Sequence, residues 1–506
     1  MRSFLEKKGR LPLIHQSISL FDFEGEDIMK EVYNPYLPSY EYIPDAEPHI
    51  FGDRVYIYGS HDRFNGRFFC MNDYVCYSAP IDDLSAWRYE GVIWRKKDDQ
   101  GKTPLILKTL YAPDVVEGND GFYYLYYFKG NSQTIGVARC KTPAGKYEYY
   151  GHVRHPDGTL LGKEKDNKDL AQFDPGVFKD DDGKIYLYTG FGEKSPNIFT
   201  AFGPVNYNGS MGVELEEDML TIKPNTMSRI AKTQHCSKGT GYEGHEFFEA
   251  SSMRKFNGKY YFIYSSVLGH ELCYAIGDSP LGKFEYGGTL VSIGDVGLSE
   301  KPLNYLGNTH GSLIKIKDSY YVFYHRQTNR HCHSRQACAE RIEMDENGRF
   351  KQAEVTSCGL NGGPLSAKGV KPAYIACHLF SKTGVIFYRA KNRNKVHPYF
   401  TQSGKDRECD PDQYIANFND GSTAGFKYLD FEGDESSIAV QISGKAEGTL
   451  YVSLSIGGDP VACIDVIADK KKKWINAKLE PISGAKPLYF RYEGKGHFDF
   501  FAFEIR

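Results

Sequence analysis

Five times along the chain a polar residue is followed by a short apolar stretch, a Gly or Asp turn and an aromatic-rich strand. The strands read GDRVYIYGS from Gly52, GFYYLYYFK from Gly121, GKIYLYTGF from Gly183, GKYYFIYSS from Gly258 and DSYYVFYHR from Asp318. Each alternates at period two behind a turn residue, as one arm of a hairpin does. Units spaced by about 60 to 75 residues have room for a four-stranded sheet, and such sheets bury their apolar faces by stacking on one another. Five units predict an all-β chain whose first part is a five-bladed β-propeller.

Composition supports this reading. The 38 Tyr, 32 Phe and 52 Gly supply strand residues and hairpin turns. Lys and Arg total 62 against 65 Asp and Glu, so the net charge of −3 offers no footprint for nucleic acid or an anionic membrane. A neutral ligand is expected. No run of about 18 apolar residues offers a membrane span, and the opening MRSFLEKKGRLPLIHQ lacks the apolar core of a secretory signal. A cytoplasmic location is therefore expected, with oligomeric state left open. The 11 Cys include no CxxC pair, which argues against a disulfide framework and a zinc module. His331, Cys332, His333 and Cys338 cluster in sequence, but neighbours on a strand point to opposite faces, so the metal reading is set aside.

Seven to nine residues ahead of the five turns stand Asp45, Asp114, Asp174, Glu249 and His310. The first strand of every propeller blade lines the central channel, so polar residues at matched positions converge on one pocket. Taken singly, an Asp before Pro, as in Phe173-Asp174-Pro175, is a turn former. Recurrence, with acids at four of the five positions, points to chemistry instead.

Over roughly residues 31 to 365 these segments resemble glycoside hydrolase family 43. YIPDAEPHIFGDRVYIYGSHD is similar to the family's opening strand, FDPGVFKDDDGKIYLYTG to its middle Asp-Pro strand and FFEASSMRKFNGKYYFIYSS to its acid-bearing strand; NTHGSLIKIKDSYYVFYHR is similar to its last blade. The resemblance implies hydrolysis of glycosides with inversion, with no cofactor required and a calcium ion or a water at the propeller centre. It implies Asp45 as general base, Asp174 as the group that tunes and orients the acid, Glu249 as general acid, His310 as the central ligand and Arg326 as a sugar contact. Asp114 takes no catalytic role. The family's first-blade Asp-Pro is here Asp45-Ala46-Glu47-Pro48, which makes Glu47 a rival base. Asp45 precedes Gly52 by seven residues, as Asp114 precedes Gly121, whereas Glu47 precedes it by five. That spacing favours Asp45. The two share one face of an extended strand, so Glu47 is expected to contact substrate in the same pocket.

Glycosidic cleavage needs an acid to protonate the leaving oxygen and a carboxylate that activates water or attacks the sugar. Crowded carboxylates and burial raise one pKa so that it stays protonated, and Glu249 is expected to carry that raised value. No GxGxxG follows a strand and no GxxxxGK[ST] occurs. A fructoside-cleaving propeller is disfavoured by the missing NDPNG-like signature; a catalytically silent sugar-binding propeller is the reading from a different class. The expected substrates are arabinoxylan- or arabinan-derived oligosaccharides losing terminal pentoses, α-L-arabinofuranose ahead of β-D-xylose.

Residues 1–30 read as an N-terminal arm and 31–365 as the propeller. The stretch SKTGVIFYRAKNRNKVHPYFTQSGKDRECDPDQY is polar and loop-like. After it FKYLDF, SIAVQISG, GTLYVSLSI, ACIDVIAD, PLYFRYEG and FDFFAFEIR alternate at period two. They predict a β-sandwich over 371–506 that resembles the carbohydrate-binding module family 6 jelly roll, as a sugar binder or a buttress.

Overall fold

The computed structural model describes residues 31–100, 109–130, 132–164, 171–193, 205–388, 396–408 and 410–506; the arm expected over residues 1–30 lies outside them. Val32–Arg506 forms one compact unit. Its first part is five sheets, each folded from consecutive strands. Blade 1 holds β1 (Glu47–Phe51), β2 (Arg54–Tyr58), β3 (Tyr74–Pro80) and β4 (Arg88–Trp94). Blade 2 runs from β5 (Asp114–Glu117) and β6 (Tyr123–Phe128) to β7 (Ile135–Cys140) and β8 (Glu148–His152). Blade 3 holds β9 (Gly176–Lys179), β10 (Ile185–Thr189), β11 (Met211–Leu215) and β12 (Ser228–Arg229). Blade 4 holds β13 (Phe247–Phe256), β14 (Lys259–Ser266), β15 (Glu271–Gly277) and β16 (Phe284–Ser292). Blade 5 has three strands, β17 (Ser312–Ile316), β18 (Ser319–Thr328) and β19 (His331–Ile342). The five quoted aromatic strands are the second strand of each blade.

Those aromatics build the walls between blades. One apolar cluster fills each junction: Tyr58 and Tyr127 between blades 1 and 2, Ile135 and Leu187 between 2 and 3, Tyr188 and Phe262 between 3 and 4, Ile263 and Val322 between 4 and 5, and Ile57 and Phe323 between 5 and 1. Each fully buried ring contributes roughly 1.5–3 kcal/mol. The ring closes where residues 34–36 take the free edge of β19. There the Tyr36 N–H donates to Ala337 O at 3.3 Å, and the Ala339 N–H donates to Asn34 Oδ1 at 3.0 Å.

The remaining ten strands form one folded sheet around a single core rich in Phe, including Phe418, Phe426, Phe490, Phe498, Phe500 and Phe503. They are β20 (Leu365–Ser366), β21 (Gly369–Pro372), β22 (His378–Phe380), β23 (Tyr399–Gln402), β24 (Gln413–Asn419), β25 (Thr423–Phe431), β26 (Ser437–Ser453), β27 (Pro460–Ala468), β28 (Lys473–Lys478) and β29 (Gly484–Ile505). The sheet thus begins at Leu365, ahead of the expected 371. SIAVQISG and GTLYVSLSI are one strand, β26, and PLYFRYEG and FDFFAFEIR are one strand, β29. The intervening glycines are close approaches, not turns: a Cβ on Gly448 would lie 2.2 Å from Glu493 O.

Candidate active site

The channel carries its polar groups in two layers. The upper layer stands at the entry to the inner strands: Asp45 before β1, Asp174 before β9, His310 before β17, and Glu249 inside β13. Asp45, Asp174 and His310 are each 4% exposed, and Glu249 is half-buried. Asp45 has φ 60°, Asp174 φ 41° and Ala250, next to Glu249, φ 71°. Left-handed backbone at non-glycine residues costs about 1–3 kcal/mol each and is held only where the surroundings over-determine it. Around Glu249 the pairing with β14 shifts register on both sides, so a bulge re-aims the side chain. Gly176 lets β9 and β13 meet, since a Cβ there would lie 2.3 Å from Ser251 O.

Charge organises this layer. Asp45 Oδ1 accepts from Arg335 Nη1 at 2.8 Å and lies 3.4 Å from His325 Nδ1. Burial alone would raise the Asp45 carboxyl, but Arg335, with the charged His310, holds it below the usual carboxylate range. Burial and the Arg335 charge push His325 down to about 3, so it is neutral. His310 Nδ1 lies 3.4 Å from Asp174 Oδ2. Burial opposes its charge, yet the Asp174 contact and the nearby Asp45 and Glu47 charges raise it to about 9. Asp174 is raised, chiefly by burial.

The lower layer is a floor. Glu47 Oε2 accepts from Arg254 Nη2 at 2.7 Å and from Ser252 Oγ at 3.0 Å, while Oε1 has no hydrogen-bond partner and lies 4.0 Å from His310 Nε2. Burial and Asp114 raise Glu47 to about 7. Asp114 is fully buried, with Oδ1 on His49 Nε2 at 2.6 Å and Oδ2 accepting the Val177 N–H at 2.8 Å, which ties blades 1, 2 and 3 together. Asp114 therefore belongs with Glu47, not with Asp45. The count to the turn glycine misaligned them because β1 and β2 close at Phe51 and Arg54, across two residues, whereas β5 and β6 close at Glu117 and Tyr123, across five. Glu47, 1% exposed, lies beneath the pocket in which a sugar contact was expected.

Arg326, the other expected sugar contact, points elsewhere. It donates to Gln336 Oε1 and, at 3.2 Å, to Ala376 O, and its guanidinium lies 3.9 Å from the Phe400 ring centre. Its partners are Ala376, between β21 and β22, and Phe400, on β23 of the C-terminal sheet. The guanidinium that meets Asp45 is Arg335, which sequence reasoning missed. Strand parity carried the signal: on β18, His325 and Arg326 are neighbours and face opposite ways. Phe69 covers Arg335 at 4.8 Å, and the adjoining Phe68 is 65% exposed. Among the described residues, two groups bring His, Cys or acidic ligand atoms within 4.8 Å of one another: Glu47, His49 and Asp114, and His245, Glu271 and Cys273. The cluster from His331 to Cys338 is in neither.

A profile of glycosyl hydrolases family 43 matches residues 41–350. A xylosidase/arabinosidase of Thermoclostridium stercorarium is 48% identical over 474 residues, 92% of this chain and 97% of that protein. Xylosidase/arabinosidase 43A of Humicola insolens is 32% identical over 314 residues, 56% of this chain and 88% of that one. A solved Bacillus subtilis family 43 arabinoxylan arabinofuranohydrolase, in complex with cellotetraose, is 21% identical, covers 93% of this chain and 97% of its own, and gives a TM-score of 0.50. That likeness shows the fold across propeller and C-terminal sheet together. With five blades closed around acids carried on the inner strands, and with that profile spanning the blades, the chain is a glycoside hydrolase and belongs to family 43.

Proposed function

We propose that the enzyme removes terminal pentose residues, α-L-arabinofuranose by preference and β-D-xylose second, from arabinoxylan- or arabinan-derived oligosaccharides, with inversion. The observation that carries this is the near full-length 48% identity to a relative named for both xylose and arabinose. Asp45 is the base: a carboxylate held ionised by Arg335 can take a proton from water. Glu249 is the acid, aimed by its bulge and more open to solvent than Asp45 or Asp174. Asp174, paired with the His310 imidazolium, sets the charge around that acid. Inversion needs a water between the sugar and the base, and room for it.

A calcium ion completed by waters would be held by Glu47 Oε1, a buried oxygen without a hydrogen-bond partner, with His310 Nε2 4.0 Å from that oxygen. Bound there, an ion would add positive charge beneath the acids, and His310 would first give up its proton. Ten described cysteines are free thiols, which suits a reducing cytoplasm and short, imported substrates.

A panel of nitrophenyl α-L-arabinofuranoside and β-D-xyloside, with the first-formed anomer followed by NMR, tests the reading; activity on neither sinks it. Glu249→Gln should lower turnover by about 10²–10⁴-fold on a nitrophenyl glycoside and far less on a dinitrophenyl one, whose leaving group needs little protonation. Equal losses on both would remove Glu249 from the acid's role.

A further inference from the structure

The C-terminal sheet reaches the channel mouth through Gln402–Arg407. Asp406 Oδ1 accepts the Phe64 N–H at 2.7 Å, and Oδ2 accepts from Asn72 Nδ2 at 3.1 Å. Both donors lie on the connection between β2 and β3. Asn72 Nδ2 also donates to Asp62 O at 3.0 Å, and the Cys70 N–H donates to Asp62 Oδ1 at 2.9 Å, so the same connection fixes Asp62. Asp62 grips Arg335 with both oxygens, Nε to Oδ2 at 2.8 Å and Nη2 to Oδ1 at 3.1 Å. A two-point grip of this kind fixes the guanidinium plane. It leaves Nη1 to meet Asp45 Oδ1. Beside Asp406, Gln402 Oε1 accepts from Tyr42 OH at 2.7 Å, on the segment that leads into Asp45.

We propose that Asp406 is a positioning residue: through it the C-terminal sheet holds the β2–β3 connection so that Asp62 presents Arg335 to Asp45. This rests on the reading of Asp45 as base. Asp406 is half-buried, and hydrogen bonds there contribute little to folding. A small displacement of a catalytic constellation is costly in rate, however. The sheet is then part of the catalytic apparatus whether or not it binds sugar.

The test is steady-state kinetics of the full-length protein on nitrophenyl α-L-arabinofuranoside. Asp406→Ala should lower kcat by about 10-fold with KM within about twofold and thermal stability nearly unchanged, the mark of an interaction felt in the transition state. Asp406→Asn keeps an acceptor for the Phe64 N–H and should recover part of the loss. Asp62→Asn should lose more, and the double variant Asp62→Asn/Asp406→Ala should be no slower than Asp62→Asn alone, because both act through Arg335. Asp420→Ala, at an exposed ion pair with Lys382 on the same sheet, should match the wild type. An unchanged kcat in Asp406→Ala, a loss that follows the unfolded fraction, or additive losses in the double variant would each overturn the proposal. Should Asp62→Asn not fold, the Ala and Asn variants of Asp406 decide by themselves. Asp45→Asn, assayed alongside, separates the failures. Near-normal turnover there removes the base assignment; a dead Asp45→Asn beside normal Asp406 variants removes only the relay.

Discussion

The propeller and the C-terminal sheet bury similar side chains to opposite ends. The propeller divides its core among five clusters, one at each blade junction, with a smaller sixth around Phe128, Phe173 and Phe191, and leaves its axis to acids, histidines and arginines. The sheet gathers its rings into a single core, and two of its buried ionisable groups, Lys427 and His378, face the propeller, both on Asp295 Oδ2, at 2.8 and 2.7 Å. A closed ring of blades has an axis that apolar packing does not fill, and polar side chains collect there. A sheet folded on itself has no such axis, so its polar groups are free to serve the junction.

If that contrast is right, polar changes on the propeller axis should remove activity and leave the fold. Asp45→Asn should lower kcat by about 10²–10⁴-fold while the melting temperature stays close to wild type, since Asp62 still satisfies Arg335. Glu47→Gln should mainly disturb the floor. A dead Glu47 variant beside an active Asp45 variant would reverse the base assignment.

The next effect falls on the two cores. Phe262→Ala, between blades 3 and 4, and Phe500→Ala, in the sheet, should each lose about 3–5 kcal/mol by chemical denaturation. Only the first should also lower activity per folded molecule, because β14 carries the pairing that aims Glu249. Equal activity losses would show that the cores are not independent in function.

The effect that is smallest per pH unit concerns ring closure. Glu340 Oε1 accepts from Asn34 Nδ2 at 2.7 Å and from Tyr324 OH at 3.0 Å, and burial raises its carboxyl to about 8. The folded state therefore holds this proton more tightly than the unfolded one. Its stabilising share is complete below the unfolded pKa near 4.5 and is lost as pH rises towards about 8. Stability should fall through that window by at most about 1.4 kcal/mol per pH unit. Glu340→Gln, measured by denaturation at several pH values, should flatten the slope; an unchanged slope would free Glu340 from this role.

Strand-level features were legible because they are local. Period-two alternation located the second strand of every blade, and the residue types ahead of the turns pointed to Asp174, Glu249 and His310 without any fold. Glycine was less readable, since one residue type marks both a turn, as at Gly52, and a close approach inside a strand, as at Gly448. The KWINAK strand β28 was hidden behind its lysines, because one face of it is exposed.

By itself the sequence determined the repeat, the all-β class, the neutral balance of charge and the acids available for catalysis, all of which follow from residue type and spacing along the chain. Only the tertiary structure decided which arginine meets Asp45, that Asp114 and Glu47 form a floor beneath Asp45, and that Asp406, in the connection after β23, bonds to the β2–β3 connection that holds Asp62. Those facts join positions up to several hundred residues apart, and they depend on hairpin loop length, strand parity and ring closure, which fix direction in space and leave no periodic trace in the chain.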